Sequence, residues 1–265
     1  GLPLLNLQDE PQVSKRVRRL TLINSVLGIS IAGISTRVFM ISLPTLATAL
    51  GTDILGISWA LIVYQVAAIG LGVICGRLGD IYGHHKMYGL GMVMMAVGSL
   101  LCGLSQNVLQ LILFRFLQGV GGALIQSSGR TLGFKSLPKG SEGKAPGLMA
   151  MAHPFGFFVG PPICGLIIDL VNWRGIFFLL LLPSLIGLAL ALVTGRAAAE
   201  SAAGSRSVDY VGALLFFGLT ILATILLDQK IAVVIGSGNQ GLLVLTFVGL
   251  LWSFIYHEKR SASPM

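Results

Sequence analysis

The chain has 265 residues, 54% of them hydrophobic and 11% charged, with a mean hydropathy of +0.86. Soluble domains carry about 25% charged residues, so a water-soluble globular domain is excluded. The net charge of +8 does not mark a nucleic-acid binder: the basic residues stand in short segments between apolar runs, with no basic stripe or aromatic platform.

The apolar runs approach the roughly 20 residues that a helix needs to cross about 30 Å of hydrocarbon. In chain order, eight spans are predicted, over 20–44, 57–76, 87–105, 108–129, 147–168, 175–194, 210–227 and 240–256. Residues 1–19 form a polar, then basic, N-terminal tail, and no signal peptide is expected. The 35 glycines suit closely packed membrane helices. Cys75, Cys102 and Cys164 fall in or beside apolar runs and read as small buried residues, not as a disulfide or metal set.

Charge alternates between the loops. Lys15, Arg16, Arg18 and Arg19 precede the first span, Arg77 and Lys86 follow the second, and Arg130, Lys135, Lys139 and Lys144 follow the fourth. Arg196 and Arg206 follow the sixth, and Lys259 and Arg260 the eighth; these are 14 of the 18 basic residues. Only Arg174 and Lys230 fall on the other side. Positive loops face the cytoplasm, so both termini are expected there, in a protein integral to the plasma membrane. The small, polar stretch 196–209 reads as a linker. It separates a six-span bundle over 20–195 from two further spans over 210–265.

The segment Gly76-Arg-Leu-Gly-Asp80-Ile-Tyr-Gly83-His-His-Lys86 reads as a loop between spans two and three. Gly76 and Gly83 permit a tight turn, and Asp80 is suited to capping a helix N-terminus and pairing with a cation. Span four carries Arg115-Phe-Leu-Gln118-Gly119-Val-Gly121-Gly122, and span five carries Gly156-Phe-Phe-Val-Gly160-Pro161-Pro162-Ile-Cys164-Gly165. Gly156 and Gly160 bare one face of the fifth span for close packing, and Pro161 bends it.

These segments resemble three motifs of the major facilitator superfamily: the G-x-L-x-D-x-x-G-R-R/K loop, the intramembrane arginine followed by Q-G-x-G, and the antiporter pattern G-x-x-x-G-P-x-x-G-G. Trp173-Arg174 with Phe177, Asp209-Tyr210-Val-Gly212, and His257-Glu258-Lys259-Arg260 with Pro264 narrow the resemblance to the fourteen-span drug:proton antiporter branch. Three departures stand out. His84 and His85 occupy arginine positions, and Cys164 replaces a glycine. Aligned on Leu43-Pro44, Ser35 stands where that branch usually has an aspartate, with Arg37 at a threonine position.

The resemblance implies an all-α membrane protein: a six-helix bundle of two three-span repeats plus two extra helices. It also implies a secondary active transporter of the small-molecule or multidrug efflux type, with proton or ion coupling. A second six-span bundle, in the same chain or in another, is then needed to complete a site at the interface. A half-transporter serving as a membrane interaction or scaffold subunit is the alternative.

Charges inside a bilayer are functional candidates. Arg37 and Arg115 lie within spans, and all ten Asp and Glu lie in loops, tails or span ends. Counted from the cytoplasmic side, both arginines reach similar depth, about 25 and 22 Å at 1.5 Å per residue. A paired cationic site is expected, with Gln118 as its polar neighbour and an anionic or amphipathic small molecule as its ligand. Snorkelling to the outer headgroups is the alternative, above all for Arg37. His153, before Pro154, is either a titrating group or a packed neutral side chain. No catalytic cluster, metal-ligand spacing or phosphate loop points to an enzyme.

Overall fold

The structure, a computed structural model, describes residues 15–137, 144–197, 210–227 and 237–260. Among them nine helices run in chain order: α1 (Lys15–Ala49), α2 (Ile54–Gly70), α3 (Gly72–Tyr82), α4 (His84–Leu104), α5 (Val108–Lys135), α6 (Lys144–Leu170), α7 (Gly175–Ala197), α8 (Tyr210–Leu227) and α9 (Ser237–Arg260). No strand occurs among the described residues. In a bilayer every backbone donor needs a partner within its own segment, which a helix supplies.

Five helices, α1, α4, α5, α6 and α7, are long and apolar enough to cross a membrane. The pair α2 and α3, bent by 46°, makes a sixth crossing if taken as one span. The expected seventh and eighth spans correspond to shorter apolar stretches, Leu214–Leu226 in α8 and Gly241–His257 in α9. The basic residues Lys15 to Arg19 belong to α1, and Arg130 and Lys135 to α5, so these helices run past the predicted span ends. Residues 1–14, the predicted 138–143 loop with Lys139, and 198–209 of the linker lie outside the described residues, as do Arg206, Lys230 and Pro264.

The segment 76–86 is not the expected loop. Gly76 to Tyr82 continue α3 as helix, and the reversal into α4 is made by Gly83 alone, at φ +95°. Left-handed backbone of this kind favours glycine. Gly76 is therefore a helical residue, not a turn residue. Asp80 caps no N-terminus; it sits in the last turn of α3, its Oδ1 3.2 Å from His84 Nε2 at the start of α4. Lys86 is exposed in the first turn of α4. The bend between α2 and α3 falls at Leu71, between Gly70 and Gly72, where two residues without side chains weaken the helix.

Caps fix two outer helix starts. Asp53 accepts from the Gly56 amide at 2.8 Å, and Asn107 from the Gln110 amide at 2.9 Å. These bonds satisfy N–H groups that the helix itself leaves open. On the same side, Arg174 donates to the Ser105 carbonyl at 3.1 Å and stacks on Trp173 at 4.4 Å, tying the start of α7 to the end of α4.

Small residues set the helix contacts of the bundle. A Cβ on Gly121 would lie 2.9 Å from both the Gly91 carbonyl oxygen and the Met95 amide nitrogen, so α4 and α5 meet backbone to backbone. On the other side of α5, a Cβ on Gly119 would lie 2.6 Å from the Tyr64 carbonyl oxygen of α2. In α6, a Cβ on Gly156 would lie 2.7 Å from the Ile34 amide nitrogen of α1, and one on Gly160 3.0 Å from Val38 Cγ2. Gly156, Gly160 and Cys164 thus form one i, i+4, i+8 face against α1. Cys164, in place of the motif glycine, is fully buried with its thiol 3.6 Å from the Val38 carbonyl. Gly165 points elsewhere: nothing lies within 4 Å of its Cβ position. The α8–α9 hairpin meets the bundle at α2, where Phe217 covers Gly70.

Candidate functional site

Arg115 is the largest fully buried side chain among the described residues, 0% exposed. It follows about two turns of mostly apolar helix in α5, and its guanidinium reaches across to α1. One Nη donates to Ser35 Oγ and to Gln118 Oε1, both at 3.0 Å. The plane is held between two rings, Phe39 at 4.2 Å and Tyr64 at 4.1 Å from its central carbon. Gln118 passes the contact on, its amide donating to Ser99 Oγ of α4 at 2.7 Å, with the Cys102 thiol 3.6 Å from its oxygen. Four helices, α1, α2, α4 and α5, are joined through this cluster. Glycine makes room for it: a Cβ on Gly98 would lie 2.5 Å from Gln118 Cγ.

No carboxylate balances Arg115 among its described partners, and its Nε and other Nη are buried without a hydrogen-bond acceptor. The rings supply part of the missing stabilisation, since a cation over an aromatic face gains up to about 2 kcal/mol when desolvated. A buried cation held by neutral dipoles and rings is responsive to any negative charge that enters its surroundings.

Arg37 lies on the same stretch of α1. Ser35 and Phe39, the α1 residues that touch Arg115, bracket it in sequence, but its side chain leaves α1 on another face. Arg37 lies 5.8 Å over the Phe157 ring of α6, with one Nη 3.8 Å from Met40 Sδ and a buried Nε without an acceptor. The structure thus brings Gln118 to Arg115, as the spacing predicts, and directs Arg37 to α6 instead. Ser35, Ser99, Phe39 and Tyr64 carry the surroundings of Arg115. Sequence reasoning named none of them as site residues, marking Ser35 only as standing at an aspartate position, because serines and aromatics in apolar runs resemble ordinary core. His153 is packed: its carbonyl meets Gly33 and its ring lies 5.0 Å from that of Phe157.

At the α3–α4 corner, Gly76, Asp80, Gly83 and Lys86 form no contact with this cluster among the contacts described. His84 is buried there beside Gly79 and Ser128, joined to Asp80. A second buried polar group links α1, α4 and α7: the Tyr88 hydroxyl donates to the Asn24 carbonyl, and the Asn24 amide to the Gly187 carbonyl at 3.0 Å.

Long apolar helices wrapped around a polar, cationic centre define a polytopic membrane protein. The chain belongs to the major facilitator superfamily, which it matches over residues 25–259. It is 31% identical over 263 residues to the uncharacterised MFS-type transporter YvkA of Bacillus subtilis, covering 96% of this chain and 56% of that one. It is 26% identical over 212 residues to the riboflavin transporter RibZ of Clostridioides difficile, covering 80% and 46%. It is also 27% identical over 246 residues to the putative multidrug resistance protein MdtD of Salmonella typhi, covering 90% and 50%. A peptide transporter solved in complex with sulfate shares the fold, with a TM-score of 0.62 at 17% identity, over 94% of this chain and 53% of that one. The chain spans about half the length of the curated relatives it matches.

Proposed function

We propose that the protein is a secondary active transporter of a small molecule, and that the described helices form one bundle of a two-bundle machine. The second six-helix bundle lies in the same longer chain or in a partner chain. The observation that carries this reading is the Arg115 cluster: a fully buried cation hydrogen-bonded to α1 directly and to α4 through Gln118, with ring faces of α1 and α2 over it. Intramembrane charge is expensive and is retained where it handles a solute or a proton. In transporters built from repeats, binding occurs near the midplane between bundles that rock against each other.

The parts have separate roles in this proposal. Arg115 and Gln118 form the polar core that senses the occupant, and Arg37 meets it. Asp80, Gly83 and Lys86, with Gly76 one turn before Asp80, form the cytoplasmic corner that changes when the bundles rock. Gly156 and Gly160 give α6 a smooth face against α1 for that movement, Pro161 removes one backbone hydrogen bond beside it, and Gly165 stands on another face of the same helix. Both termini are cytoplasmic, and export coupled to proton or ion entry is the direction that the relatives' multidrug names favour. Those names, with the riboflavin transporter, favour a small, partly aromatic substrate.

The test has two arms. The intact mass of the natural protein from its own membrane is compared with the 27.9 kDa of this chain; a mass near twice that figure, or a co-purifying six-span partner, is expected. Proteoliposomes carrying that protein should then accumulate or expel a fluorescent dye when a proton gradient is imposed, and the variant Arg115→Ala should not. Dye movement unchanged in Arg115→Ala would overturn the role given to the cluster.

A further inference from the structure

Resting on the transporter reading, we infer that the substrate contact of this bundle is Arg37 with the Phe157 ring, and that its ligand is an amphipathic anion: an aromatic carboxylate. The two intramembrane arginines differ in what surrounds them. Arg115 is sealed, its plane occupied on both faces by rings and one Nη engaged twice. Arg37 is half-buried, and its described contacts are a sulfur and one ring at the long end of the cation–ring range. A guanidinium has five N–H donors, and unsatisfied donors at membrane depth cost several kcal/mol each. Arg37 therefore has the donor capacity for an acceptor that arrives from outside.

Snorkelling to the outer headgroups is disfavoured by where the side chain lies, against the Phe157 ring of α6 at 5.8 Å with its Nε buried. The stripe that holds it is also mixed in polarity. Beyond its crossing with α6, α1 presents Thr36, Arg37, Met40, Ile41 and Pro44 as half-buried or exposed residues. The outward residues over most of neighbouring α6, by contrast, are apolar, Met151, Phe155, Phe158 and Leu166 among them, and its one acidic side chain, Asp169, stands exposed in the last turn. Lipid suits the second surface, and a hydrated cavity suits the first.

The chemistry of the ligand follows from the pair. The planar fork of Arg37 matches a carboxylate in two-point fashion. Phe157, its ring tilted against that of His153 at 5.0 Å, offers an aromatic wall beside the fork. The surrounding Met40 and Ile41 suit a flat hydrocarbon. A cation gains little here: Asp80 and Asp169 stand in the last turns of α3 and α6, and neither is among the described contacts of Arg37 or Phe157.

Radiolabelled benzoate is the probe, with acetate and benzyltrimethylammonium as controls, bound to the natural protein that carries this chain, in lipid nanodiscs. Saturable benzoate binding is expected, weakened at least about tenfold in Arg37→Gln, the loss typical of a charge-assisted hydrogen bond. Phe157→Leu should weaken benzoate severalfold and leave the weak binding of acetate unchanged. Arg37→Lys keeps the charge without the fork and should fall between wild type and Arg37→Gln, which separates recognition from general loss of structure. No benzoate binding, equal binding by Arg37→Gln, or preference for benzyltrimethylammonium would overturn the site. Benzoate uptake into proteoliposomes is read separately. Binding that depends on Arg37 without uptake supports the site and sinks the transporter reading; uptake indifferent to Arg37 does the reverse.

Discussion

Arg115 is held less by charge than by shape. Its flat guanidinium fills the gap between Phe39 and Tyr64, and one nitrogen serves both Ser35 and Gln118. Lysine has the same charge but neither the plane nor the forked donors. Arg115→Lys is therefore expected to lower stability by about 1–3 kcal/mol, the cost of leaving buried acceptors poorly paired, seen as a lower thermal midpoint in detergent. A midpoint equal to wild type would mean that the rings and hydroxyls add little. The arginine itself was legible in the sequence, because a charge in an apolar run draws notice, and Gln118 followed from helical spacing. The rings were not legible: Phe39 and Tyr64 come from two other helices, and only the fold decides which apolar residues meet a cation. The same limit hides the different directions of Arg37 and Arg115, whose equal depth was countable in residues while their facing depends on helix rotation.

The contact between α1 and α6 shows how much an element's pattern can carry. Glycines four residues apart predict a bare face, and Gly156 and Gly160 do meet α1, with Cys164 taking the next place on that face. The adjoining Gly165 belongs to the same sequence motif but to another face. Gly156→Ala would set a methyl group 2.7 Å from the Ile34 amide nitrogen, and backbone cannot step aside as a side chain can. A loss of about 1–3 kcal/mol is expected, as for other overpacked sites. Gly165→Ala, with nothing within 4 Å of the new methyl, should change stability by no more than about 0.5 kcal/mol or raise it slightly. Thermal midpoints of the two variants, measured side by side, decide the matter; equal midpoints would show that the close approach of Gly156 to α1 does not set the difference. The α3–α4 corner illustrates the opposite case. Glycines and an aspartate read as a loop, yet the turn needs only Gly83, and Asp80 is left at a helix C-terminus, where it finds His84. Composition identified the place but not how short the turn is.

At the scale of the whole molecule, the α8–α9 hairpin poses a different question from the bundle. The bundle is held by backbone-to-backbone crossings such as Gly91–Gly121, whereas α8 docks on α2 through a ring over a glycine. A Cβ on Gly70 would lie 2.6 Å from Phe217 Cδ2. Gly70→Ala should therefore push α8 off α2 while leaving the contacts of α4 and α5 in place. Hydrogen exchange resolved by peptide should then rise in α8 and stay low in α5. Phe217→Ala removes the ring that collides, so the double variant should return α8 to near wild-type exchange. Such a recovery is the signature of two residues in direct contact. Exchange rising equally in α5 and α8 would instead mean that the hairpin is an integral part of the bundle's stability. The six-helix unit would then need its two added helices in order to stand, and docking between bundles would have to accommodate them.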